Sequence, residues 1–153
     1  MAFSGVIIAV QLTLLVFFQW PVGNWLSRKN SRFGLQISFY AFALGCLLLG
    51  LSSIWTKGIF ILLISLIPFS LGLAAFLPTA TESIIKLSPI DKYGMAMSIY
   101  SQCFAISAFI APLIAGFAID NSGDAMKLWI SAGIICIAMI PIIESIKFEK
   151  TRH

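Results

Sequence analysis

Short polar turns divide this sequence into five long apolar stretches, and no other feature limits the fold so tightly. The first two stretches, residues 6–18 and 37–51 with their flanks, are joined by residues 19–34, which hold Arg28, Lys29 and Arg32. A membrane-spanning helix needs about 20 apolar residues. The basic turn is too short to form a domain, so the two helices it joins must lie side by side. With 59% hydrophobic and only 10% charged residues, 153 residues cannot cover a soluble core, whereas lipid favours such a composition. The expectation is an all-α, polytopic membrane bundle of about five transmembrane helices, forming one integral-membrane domain over residues 1–153.

The expected spans are residues 3–25, 33–54, 59–84, 89–119 and 125–146. Pro68 and Pro78 fall inside the third span and mark kinks, with Ser70, Thr79 and Thr81 placed to meet freed carbonyls. Ser88-Pro89-Ile90-Asp91 resembles a capping box and sets the start of the fourth span. That span is long, so it should tilt or project beyond the bilayer.

Alternating loops place Arg28, Lys29, Arg32, Lys86, Lys92, Lys147, Lys150 and Arg152 on one side, with Lys57 and Lys127 on the other. Cytoplasmic loops retain Lys and Arg, so the larger group, and the C-terminus with it, is expected in the cytoplasm and Met1 outside. The net charge of +4 therefore sits at helix ends and does not point to nucleic acid. Residues 1–20 carry no Lys or Arg, so the first stretch lacks the basic n-region of a signal peptide and reads as a true span.

Cys46, Cys103 and Cys136 each fall deep in a different apolar stretch and read as packing residues, not metal ligands. The single histidine is His153. No Asp, Glu, His and Ser cluster at one membrane depth, so an enzyme is not expected, nor is a cofactor or metal. Glu82 precedes Lys86 by four residues and Glu144 precedes Lys147 by three, both near the cytoplasmic end, which favours surface ion pairs.

Gly23-Asn24-Trp25-Leu26-Ser27-Arg28-Lys29-Asn30-Ser31-Arg32 resembles G-x-L-a-D-R-x-G-R-R, the motif joining the second and third helices of each half of major facilitator superfamily transporters. Gly23, Arg28 and Arg32 match; Trp25, Ser27, Asn30 and Ser31 depart from it. Tyr93-Gly94-Met95-Ala96-Met97-Ser98, followed by Ala111-Pro112-Leu113-Ile114-Ala115-Gly116, resembles the eleventh helix of that family. Small or kinking residues there recur at helical spacing, a face that admits close approach of another helix.

The resemblance implies that the chain is the C-terminal part of such a transporter, helices eight to twelve, moving an unidentified small solute by alternating access. It makes the first, third and fourth spans line the pathway, with Gln11, Gln102, Ser101 and Ser65 as candidate pathway residues. Gly23, Ser27, Arg28 and Arg32 become a conformational motif loop, and Gly94, Pro112 and Gly116 become packing or kink positions. Ser27 is then expected against residues 89–94. Five spans of a family's twelve imply a truncated or split gene product, whose partners are the lipid bilayer and the missing N-terminal half as a separate chain. The expected location is a bacterial plasma membrane. The alternative reading is a small membrane scaffold or subunit that transports nothing.

Overall fold

The computed structural model describes residues 2–54, 58–122 and 125–145. The expected turn at Trp55-Thr56-Lys57, Gly123 and Asp124, and the tail with Lys147, Lys150, Arg152 and His153 lie outside the described residues. Five helices follow one another: α1 (Ala2–Leu26), α2 (Ser31–Ser52), α3 (Gly58–Leu87), α4 (Tyr93–Ser122) and α5 (Ala125–Ser145). Each is long and apolar enough to cross a membrane, and among the described residues there is no strand. The chain is an integral, multi-pass membrane protein.

Helix boundaries shift by three residues or more from the sequence expectation at the end of α3 and at both ends of α4. α3 runs to Leu87, and its 30 residues make it about 45 Å long, close to the full bilayer with its headgroup layers. The capping box before α4 does not form. Pro89 is extended (φ −59°, ψ 147°), no side chain caps the next turn, and Ile90–Lys92 is a 3-10 turn closed by Lys92 N–H donating to the Pro89 carbonyl at 2.9 Å. Pro89 has a helical φ but an extended ψ, so the α-helix starts only at Tyr93, whose backbone is helical (φ −55°, ψ −45°).

In lipid no hydrophobic force drives helices together, so contact depends on close steric fit. α2 has that fit with α3. It lies between α3 and α5, and α1 covers the other side of α3. The seam is built on glycines that receive a side chain from the facing helix. A Cβ added at Gly34 would lie 2.5 Å from Thr79 Oγ1, one at Gly45 2.7 Å from the Phe69 ring, and one at Gly72 2.8 Å from the Phe42 ring. Phe42 also meets Phe39 (6.4 Å between centroids), Phe69 (6.2 Å) and Phe76 (6.2 Å), and Phe69 continues to Trp129 of α5 at 6.5 Å. This aromatic ladder ties α2, α3 and α5 into one unit. Cys46 packs in the α2–α5 seam, where a Cβ at Gly133 would lie 3.4 Å from its own Cβ.

The hydroxyls near Pro68 and Pro78 of α3 serve other carbonyls than those the two prolines free, which belong to Ile64 and Ala74 four residues earlier. Thr79 donates to Ala75 (2.7 Å), Thr81 to Leu77 (2.9 Å), and Ser70 to the Gln11 carbonyl of α1 (3.4 Å).

α4 is set apart. It touches α3 and α5 along short stretches, and its Tyr100 packs against the cluster of Leu35, Ala80 and Ile143. The most apolar stretches of α1 and α4 have no buried residue, against 39% for α2 and for α3.

Candidate functional site

The basic turn is compact. After α1, Ser27 N–H donates to the Gly23 carbonyl (3.0 Å) and Lys29 N–H to Leu26 (2.8 Å); Phe33 and Gly34 N–H then both donate to Asn30, opening α2. Leu26 is buried, and its δ-methyl reaches the space beside Gly34. The Trp25 and Phe33 rings meet across the turn at 5.7 Å, and the Lys29 ammonium lies over the Phe33 ring at 5.9 Å. Arg28 is exposed and Arg32 half-buried. The turn thus presents Arg28 and Lys29 at the surface beside the Trp25 and Phe33 rings, with Arg32 set deeper.

Ser27, expected against residues 89–94, instead donates its hydroxyl to the Asn24 carbonyl at 2.8 Å and is exposed. Its departure from the family's Asp explains this locally: a hydroxyl can close on its own helix end, which a carboxylate cannot do. Nothing lies within 4 Å of an added Cβ at Gly23, Gly94 or Gly116, and Pro112 is exposed inside α4.

The four candidate pathway residues occupy three places. Ser65 is fully buried in α3 and donates to the Leu62 carbonyl at 2.6 Å. Gln11 is half-buried on α1, while Ser101 and Gln102 are exposed on α4. Among the hydrogen bonds of the described residues, none joins them. Among the described residues, no three His, Cys, Asp or Glu side chains gather as metal ligands would.

The polar contacts at the basic end include two the sequence did not suggest. Glu82 and Lys86 pair at 2.6 Å as expected from their spacing, but Lys86 also donates to Ser31 Oγ of α2 at 3.2 Å. Glu144 accepts a hydrogen bond from the Gln36 amide of α2 at 3.0 Å, whereas its expected partner Lys147 is outside the described residues. These contacts fasten the start of α2 to the ends of α3 and α5. They join residues 55 and 108 positions apart, so no local spacing reveals them.

The family model of the Major Facilitator Superfamily matches residues 1–150. Among curated proteins, the chain is 29% identical over 120 residues to "Putative multidrug resistance protein MdtD" of Pectobacterium atrosepticum. That match covers 76% of this chain and 24% of the relative, so the chain spans about a quarter of the length of the protein it matches. No solved structure matches.

Proposed function

The chain belongs to the Major Facilitator Superfamily, a family of transporters, and we propose that it supplies helices eight to twelve of a secondary transporter that moves a small solute by alternating access. One observation carries this reading: the two helices without buried residues in their apolar stretches, α1 and α4, are two of the three that the family places along the pathway. α2 and α5, which the family does not assign to the pathway, are packed together behind α3. The uncovered faces await helices outside this chain, the seventh helix and the other half.

In this reading Gln102 and Ser101 of α4 and Gln11 of α1 face the pathway. Ser65, whose hydroxyl is already engaged within α3, contributes to the α3 packing and only indirectly to the solute path. The basic turn with Gly23, Ser27, Arg28 and Arg32 lies at the cytoplasmic mouth, and Gly94, Pro112 and Gly116 shape α4 for close approach by a missing helix. The C-terminus is cytoplasmic and the membrane is a bacterial plasma membrane. The relative named for multidrug resistance supports a small organic solute.

Thiol accessibility tests the reading. In a background lacking Cys46, Cys103 and Cys136, Gln102→Cys and Gln11→Cys are placed in the protein within its native cell membrane. A membrane-impermeant thiol reagent is expected to label both, and Leu47→Cys, on the lipid-exposed part of α2, not at all. Absence of labelling at Gln11 and Gln102 alike removes the pathway assignment.

A further inference from the structure

Cys46 of α2 and Cys136 of α5 are far apart in the sequence, and the α2–α5 seam brings their side chains together. Gly133 stands opposite Cys46: a Cβ added there would lie 3.4 Å from the Cys46 Cβ and 3.8 Å from the Ala43 carbonyl oxygen. Cys136 follows Gly133 by three residues and precedes Ile140 by four. Gly133 and Ile140 are both buried, so Cys136 lies on the same inner face of α5. On α2, Ala43, Cys46 and Gly50 repeat this helical spacing, and all three are buried. The Cys46 and Cys136 thiols share a hydrogen bond. Both are free cysteines; Cys46 is buried and Cys136 is half-buried, which leaves the pair open on one side.

The pair lies within the hydrocarbon. Cys46 is six residues before the end of α2, about 9 Å, and Cys136 nine before the end of α5, about 14 Å. Ordinary thiol–disulfide exchange proceeds by attack of a thiolate, and an unpaired charge at that depth is costly. An oxidant that reaches this pair must therefore be uncharged, dissolve among acyl chains and accept hydrogen. A quinone meets all three requirements.

We propose that Cys46 and Cys136 form a redox-active dithiol, which a membrane-soluble quinone closes to a disulfide that staples α2 to α5. Both S–H bonds break and one S–S bond forms. Two protons and two electrons pass to the quinone, which leaves as the hydroquinone, so no charge is created within the bilayer. The quinone approaches from the Cys136 side. Once closed, the disulfide is shielded from water-soluble thiols, because their thiolates do not enter the hydrocarbon. The pair does not depend on transport, since both helices and their contact belong to this chain.

The test takes the full chain in membrane vesicles, kept reduced during preparation, and adds decylubiquinone. Remaining thiols are then labelled with N-ethylmaleimide in denaturant and mapped by mass spectrometry. Cys46 and Cys136 are expected to lose their labelling together and to appear as one cross-linked peptide two hydrogens lighter, while Cys103 stays labelled. Glutathione added to intact vesicles should leave the link in place, and glutathione after denaturation should open it. Cys136→Ser should keep the Cys46 thiol free after quinone treatment, with helix content checked by circular dichroism. The first measurement uses the unaltered chain, so it remains decisive even where the variant fails to fold. Full labelling of both cysteines after quinone treatment overturns the proposal. So does loss of either thiol without the Cys46–Cys136 link, and so does opening of the link by glutathione in intact vesicles.

Discussion

Adding one methyl group at Gly34 is expected to loosen the α2–α3 seam, and the structure allows its effect to be worked out. An alanine Cβ there would lie 2.5 Å from Thr79 Oγ1, 2.8 Å from Thr79 Cγ2 and 2.9 Å from Leu26 Cδ2. Leu26 can move its chain end, but Thr79 has little freedom. Its side chain is β-branched in a helix, and its hydroxyl is bonded to the Ala75 carbonyl at 2.7 Å. The helices must therefore part. Overpacking of this kind costs about 1–3 kcal/mol, while the better helix propensity of alanine returns at most about 1 kcal/mol. A net loss of about 1–2 kcal/mol is expected for Gly34→Ala. Thr79→Ala removes two of the three clashing atoms, so the double variant should recover most of the loss, with a coupling energy of about 1–2 kcal/mol. Gly116→Ala is the control: nothing lies within 4 Å of its Cβ, so it should lose nothing to overpacking and gain up to about 1 kcal/mol from helix propensity. The assay is reversible unfolding in detergent micelles followed by circular dichroism. Equal stabilities for Gly34→Ala and Gly116→Ala, or no recovery in the double variant, would refute the glycine-seam account.

Other expectations follow from the same packing and topology. Phe42→Ala removes the ring shared by Phe39, Phe69 and Phe76 and should cost about 3–5 kcal/mol in the same unfolding assay. Glu144→Ala should free the end of α5 from Gln36, read as faster amide hydrogen exchange at residues 140–145 with α1 unchanged. A reporter fused after His153 that works only in the cytoplasm should be active; activity of a periplasm-only reporter there contradicts the orientation. Vesicles holding the 153-residue chain alone should show no solute uptake, because an alternating pathway needs a second surface to close against.

Much of this was legible in the sequence because a bilayer imposes long-range order on local composition. Apolar stretches show where helices lie, and the i,i+4 spacing alone locates the Glu82–Lys86 pair. What remained hidden was helix-to-helix pairing. Gly34, Gly45 and Gly72 look alike along the chain, and only the fold shows that they receive Thr79, Phe69 and Phe42. Gln36–Glu144 and Lys86–Ser31 were hidden for the same reason. The candidate site was less legible than the fold. Small residues on α4 promise a close neighbour, yet Gly94 and Gly116 meet none among the described residues, because small-residue spacing marks a face without naming what packs on it. Ser88-Pro89-Ile90-Asp91 misled in a local way, since the capping pattern fits the residue types but Pro89 remains extended.

The central claim is that the uncovered faces of α1 and α4 are covered by further transporter helices and not by lipid. Site-specific photo-crosslinking in the native cell membrane tests it most directly. A photoreactive amino acid is placed at Phe109 of α4, exposed at 73%, and at Leu47 of α2, exposed at 48%, and the adducts are sequenced. Adducts to a polytopic membrane polypeptide at Phe109, with lipid alone at Leu47, are the expected result. Lipid adducts alone at both positions would contradict the claim and leave a bundle with no second half.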